Sequence, residues 1–242
     1  MRRKLMTCAG AAVVALSVGC SASDASETVI IGHGQDRAPS STAEDWVTHA
    51  DHVVVVTPSS FEEDKPPASA LERGEGTIGR TATFTVDEIL WSAESPKRDA
   101  PTTIRMPVMG WEFTDGDPNN RRKMAVADQP RIESGHTYIM AVNWVNQYCS
   151  PGDSDYIPAQ WTGLGSDSIV PFDEGVIGKG EFEGRQQSVE QAHARADSEN
   201  PNPSLEDALA GKGADSLVAA LEAAQPDPSN RLGEPKEPTD CG

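Results

Sequence analysis

The chain has 242 residues, with 38 acidic against 20 basic side chains and a formal net charge of −18. So acidic a surface repels phosphate, and no cluster of Lys or Arg supplies the basic footprint that nucleic-acid binding or attraction to anionic lipid requires, so both are excluded. With 21 Gly, 18 Pro and few aromatic residues, the composition favours short strands joined by loops over long helices.

The chain opens with Met1-Arg2-Arg3-Lys4 and an apolar run over residues 5–18, interrupted only by Thr7, Cys8, Gly10 and Ser17, and reaches Gly19-Cys20. This is a signal-peptide layout. The basic head stays on the cytoplasmic side, and the run is shorter than the roughly 20 residues of a permanent span. Leu16-Ser17-Val18-Gly19-Cys20 resembles the lipobox of bacterial lipoproteins, with leucine four places before the cysteine instead of the usual three. The resemblance implies that residues 1–19 are a signal peptide, that Cys20 is lipidated, and that several acyl chains then anchor the protein stably to the extracytoplasmic face of the cell membrane. The alternative is ordinary cleavage near Ala22, with Cys20 lost. Removing Arg2, Arg3 and Lys4 with the leader takes the formal charge from −18 to −21. Residues 20–42 read as the lipidated cysteine followed by a flexible tether of small polar residues.

Three segments carry strong strand signals. Residues 52–57 contain Val53, Val54, Val55 and Val56, a β-branched run too short for a helix. Residues 80–91 alternate Ala82, Phe84 and Val86 with threonines, so one face is expected to be wet. Residues 136–147 are apolar on both faces, which predicts a central strand. Weaker strands are expected at 28–31, 102–108, 122–126 and 168–171. A short helix over 43–50 follows the cap Thr42, and 61–79 is expected to be a long mobile loop. Ser204 can cap a helix from Leu205 with Asp207 three places on, and Leu217, Val218, Leu221 and Ala224 form a second apolar stripe. The Pro-rich tail over 226–242 forbids further helix.

The order Ala50-Asp51-His52-Val53-Val54-Val55-Val56, then Phe84, Val86, Ile89, Leu90 and Trp91, then Gly135, His136, Tyr138 and Ile139, resembles the strand pattern of netrin-like and metalloproteinase-inhibitor OB-fold domains. Over roughly residues 45–175 it implies a mainly β protein with a small OB-like β-barrel of five strands, closed or partly open, in a domain spanning 43–185. The polar stretch over 186–203 reads as a linker and the helical periods over 204–225 as a C-terminal helical appendage. Fold does not carry function across. The inhibitors chelate a protease zinc through a free N-terminal amine on a Cys-x-Cys start, whereas Ala22 stands two beyond Cys20 and an acylated Cys20 has no free amine.

No catalytic residue, metal site or cofactor motif stands out. Gly163-Leu164-Gly165-Ser166-Asp167 lacks the spacing of a nucleophile elbow. His49 and His52, with Asp45 or Asp51, could begin a zinc site but lack a firm third ligand. Asp115-Gly116-Asp117-Pro118-Asn119-Asn120 imitates the opening of a calcium loop, yet position six is Asn120 and position twelve is Val126. Cys149 and Cys241 survive export and can pair in an oxidising compartment or stay as free thiols; a loop of roughly 90 residues closed this way is worth on the order of 4 kcal/mol. Of the five tryptophans, Trp111 and Trp161 are the candidate binding residues, since aromatic rings can stack on sugar or peptide. The expected role is a non-catalytic module that binds an extracytoplasmic protein, peptide or glycan, while the membrane is engaged only through the lipid anchor. The alternative is a hydrolase or metal-dependent enzyme assembled from scattered residues.

Overall fold

The four consecutive valines decide the architecture. Side chains alternate across a strand, so a run that is apolar at every position needs cover on both faces. The structure is a computed structural model that describes residues 28–34, 36, 38–149, 156–196 and 203–230, and it buries all four valines. Val53 and Val55 enter a core with Trp46, Ile139, Ala141, Leu217 and Leu221. Val54 and Val56 enter a second core with Phe84, Ile104, Tyr138, Met140 and Trp161. At about 1.5 kcal/mol or more per fully buried apolar side chain, this run contributes on the order of 6 kcal/mol before chain entropy is counted.

The strands, in chain order, are β1 (Val29–Gly32), β2 (His52–Glu63), β3 (Gly76–Ser92), β4 (Thr103–Phe113), β5 (Arg121–Val126), β6 (Tyr138–Val145), β7 (Tyr148–Cys149), β8 (Tyr156–Ile157), β9 (Gln160–Gly163), β10 (Ile169–Pro171), β11 (Gly180–Phe182) and β12 (Arg185–Gln187). The helices are α1 (Ala43–His49), α2 (Ala68–Arg73), α3 (Val189–Ala196), α4 (Leu205–Leu209) and α5 (Ala214–Ala223). Eight strands form one mixed sheet in the order β1-β5-β4-β3-β2-β6-β10, with β9 also on β6. β1 runs parallel to β5, and the remaining neighbours are antiparallel. The protein is therefore mainly β, and each expected strand is present.

Of the closed or partly open five-stranded barrel implied by the resemblance, the closed form is absent among the described residues. Bulges between Val53 and Val54, Val55 and Val56, and Pro58 and Ser60 on β2, and between Ile78 and Arg80 on β3, bend the sheet. The bend brings β9 back into contact with β4, yet no ladder joins the two. Gly110 sits where β4 crosses β3 most tightly, because a Cβ there would lie 1.8 Å from the Ile78 carbonyl oxygen.

Thr42 and Asp45 form a reciprocal capping box at the start of α1, and Ser204 and Asp207 repeat it at α4. Leu205, Leu209, Leu217 and Leu221 belong to the same core as Trp46, so the late helices are built into the domain instead of being appended to it. Three other expectations change. Residues 61–79 hold the end of β2, then α2, then the start of β3, because Glu62 pairs with Thr81 and Glu63 with Arg80 in a long polar hairpin. Residues 186–203 include the last part of β12 and all of α3. Within 20–42, β1 pairs with β5 and both Ala38 and Ser40 are buried. The leader, Cys20 and Cys241 lie outside the described residues.

Candidate functional site

β4 pairs with β3 along most of its length, but with β5 only through Trp111, Glu112 and Phe113. Its free edge over 103–110 faces the β9–β10 side of the sheet across an open seam. The seam holds a cleft of about 270 Å3 whose apolar wall includes Met106, Val108, Met109, Pro130, Ile132 and Ile169.

A charged cluster closes one end. Arg131 is 1% exposed, and its Nη1 donates to the carbonyl oxygens of Met109 at 2.6 Å, Gly110 at 3.0 Å and Met124 at 3.0 Å. It thereby satisfies backbone groups at the fork where β4 and β5 part. Arg80, also buried, donates from Nε to the Met109 carbonyl at 3.1 Å and from Nη2 to the Ile132 carbonyl. Glu133 balances both, at 3.3 Å from Arg80 and 2.8 Å from Arg131. The Trp111 ring is surrounded by the guanidinium carbons of Arg121, Arg131 and Arg80 at 4.1, 5.1 and 5.2 Å, a cation–π arrangement that occupies it. Trp161 is buried, edge-on to Trp144 at 5.4 Å and tilted against His52 at 5.5 Å. Neither tryptophan offers the free stacking face that the sequence suggested, and the structure does not bring the two together.

At the other end, Asp36 accepts from the Ser166 amide at 2.8 Å and Oγ at 2.5 Å, while Ser41 Oγ donates to Asp167 at 2.5 Å. Burial raises the Asp167 carboxyl above its ordinary range, against the lowering effect of that Ser41 bond. The Gly163-to-Asp167 stretch thus runs from the end of β9 into a hydrogen-bonded turn. Asp115 and Asn120 form the β4–β5 turn, with Asn120 Nδ2 donating to Asp115 Oδ2 at 3.1 Å. Among the described residues no group of three His, Cys, Asp or Glu side chains could hold a metal ion. The carboxylates near His49 and His52 have other uses: Asp45 caps α1, and Asp51 accepts from the Lys97 amide at 2.8 Å and the Trp144 amide at 2.7 Å.

His52 itself meets Ser92 Oγ through Nδ1 at 2.8 Å and the Arg98 carbonyl oxygen through Nε2 at 2.9 Å. A carbonyl can only accept, so Nε2 carries a proton toward Arg98, and the tautomer protonated there alone leaves Nδ1 to accept the hydrogen bond of the Ser92 hydroxyl. Sequence reasoning missed this pair because the two residues are 40 positions apart and meet only through the β2–β3 register, His52 opposite Ser92.

Two buried carboxylates were likewise invisible among many acidic residues. Glu181 is 3% exposed. Its Oε1 accepts from the Gly184 amide at 2.5 Å, while Oε2 has no hydrogen-bond partner. Burial, reinforced by the Glu133 charge, pushes the carboxyl up to about 8 despite that bond. Glu206 is buried against Arg195, whose guanidinium also reaches Asp207 at 3.0 Å and Gln187 at 2.8 Å; burial outweighs Arg195 and pushes its carboxyl up to about 7.

Cys149 lies half-buried on β7; Cys8, Cys20 and Cys241 all fall outside the described residues. No protein-family model, curated protein or solved structure matches the chain, so the functional reading rests on this geometry.

Proposed function

We propose that the protein is a lipoprotein anchored through Cys20 to the extracytoplasmic face of the membrane, and that it acts as a non-catalytic binding module. In this reading the bent sheet is an unclosed OB-like barrel, and the seam between β4 and β9 is its ligand site. The observation that carries the site is the cleft of about 270 Å3 beside a strand edge without a neighbour, since concave apolar clefts with few polar groups are where ligands bind. A basic-headed, short apolar leader ending at Cys20 supports the location. Cys149 pairs with Cys241, the one other cysteine that remains after loss of the leader and acylation of Cys20.

The site is tested by titrating the full chain with the neutral reporter N-phenyl-1-naphthylamine. One saturable site is expected, lost in Val108→Trp with unchanged circular dichroism; unsaturable binding, or equal binding by the variant, rules the seam out. The anchor is tested by metabolic fatty-acid labelling. Cys20→Ala is expected to be unlabelled and shed to the medium, and equal membrane retention contradicts it.

A hydrolase is the second reading, favoured by the Ser92–His52 pair. Labelling by a fluorophosphonate that disappears in Ser92→Ala would support it, whereas an unlabelled wild-type protein removes it.

A further inference from the structure

The seam's chemistry restricts what it can hold. None of its fourteen lining residues is charged, in a chain where 24% of residues carry charge. A charged group placed against that wall, away from the Arg131 and Asp36 ends, would lose water without gaining an opposite charge.

Of the three polar side chains that line the cleft, Gln129, Ser168 and Thr162, the last two already have partners within the protein. Ser168 Oγ accepts from the Leu164 amide at 3.1 Å and the Gly165 amide at 3.2 Å and donates to the Gly165 carbonyl. Thr162 Oγ1 donates to Asn143 Oδ1 at 2.8 Å. A sugar, which presents a hydroxyl on nearly every carbon, would leave most of its own groups unmatched against so apolar a wall.

A peptide strand is also disfavoured. Adding a strand requires a run of free amides and carbonyls along the β4 edge. Pro107, in the middle of that edge, has no amide proton to give, and Arg131 and Arg80 already occupy the carbonyls of Met109 and Gly110.

What suits such a wall is an apolar chain without hydrogen-bonding demands. Met106 and Met109 add flexible, polarisable contacts that adapt to a mobile guest. At about 30 Å3 per water-sized unit, the cleft of about 270 Å3 has room for roughly nine such units, the bulk of an alkyl chain of about eight to ten carbons.

We infer that the seam between β4 and β9 binds a single uncharged alkyl chain, such as the acyl tail of a monomeric amphiphile. This deepens the binding-module reading and rests on the seam being the ligand site.

The test is displacement of N-phenyl-1-naphthylamine from the full chain by n-alkanols of six to fourteen carbons. Affinity should rise about fourfold per added methylene, the factor for burying one CH2, and level off near ten carbons. Val108→Trp should weaken decanol binding by at least about tenfold. Met109→Glu, which places a carboxylate at a 40% exposed rim position, should also weaken it, and this second variant keeps the test open if the first misfolds. A flat chain-length series overturns the alkyl assignment. So does displacement by a blocked valine-rich hexapeptide but not by decanol, which leaves the seam standing as a site. Decanol binding that is unchanged in both folded variants overturns the alkyl assignment and the seam together.

Discussion

Ser92 Oγ lies 2.8 Å from His52 Nδ1, with the opposite ring nitrogen held by the Arg98 carbonyl. Whatever its chemistry, this pair fastens the end of β3 and the following loop to the start of β2. Ser92→Ala leaves the buried Nδ1 without its donor and is expected to cost about 1–2 kcal/mol in urea unfolding. His52→Ala, which also removes the Trp161 contact, should cost more, about 2–4 kcal/mol. Equal midpoints for both variants and the wild type would show that the pair bears no load.

Arg131 should be among the least replaceable residues in the molecule. Arg131→Ala strips the Gly110 and Met124 carbonyls of this donor, leaves Met109 to Arg80 alone and leaves Glu133 with weaker compensation, for an expected loss of about 3–5 kcal/mol. Arg131→Lys should recover little, because one ammonium cannot reproduce the fork of donors. Chemical denaturation of both variants checks this, and a lysine variant as stable as the wild type would refute the geometric argument.

Stability should fall as the solution becomes more alkaline. A carboxyl raised from 4.5 to about 8, as at Glu181, favours the folded state fully below pH 4.5 and loses that contribution as pH rises through 8. Glu206 acts in the same direction between 4.5 and about 7. At 1.36 kcal/mol per unit, Glu181 is worth at most about 3–5 kcal/mol. Thermal melts should therefore give a lower Tm at pH 8.5 than at pH 5.5, and Glu181→Gln should flatten that slope. An unchanged slope in Glu181→Gln would assign the effect elsewhere.

Non-reducing peptide mapping of the exported protein should join the Cys149 peptide to the Cys241 peptide. Reduction should then destabilise the protein by no more than about 4 kcal/mol. Two alkylatable thiols would refute the pairing.

The strands and capped helices were legible because their signals are local. The valine run, the alternation about Phe84, and the Thr42 and Ser204 capping boxes each announce themselves within a few residues. The hairpin through residues 61–79 was not, because its Glu and Thr side chains point to water and only the β3 partner makes it a strand. Bending of the sheet depends on bulges and on Gly110, which no periodicity reveals. The seam, the two buried arginines and the Ser92–His52 pair are long-range, and of the tryptophans chosen from sequence Trp161 is buried while Trp111 is half-buried against arginines. Ring type alone does not say which side of a strand is free.

The register of β1 against β5 also sets a distance. Val29, the first residue of β1, pairs with Lys123 and stands nine positions after Cys20. At no more than about 3.6 Å per residue, that leash spans at most about 32 Å. With Cys20 acylated, the domain works in a thin layer next to the bilayer, and any guest must come to that layer to be met.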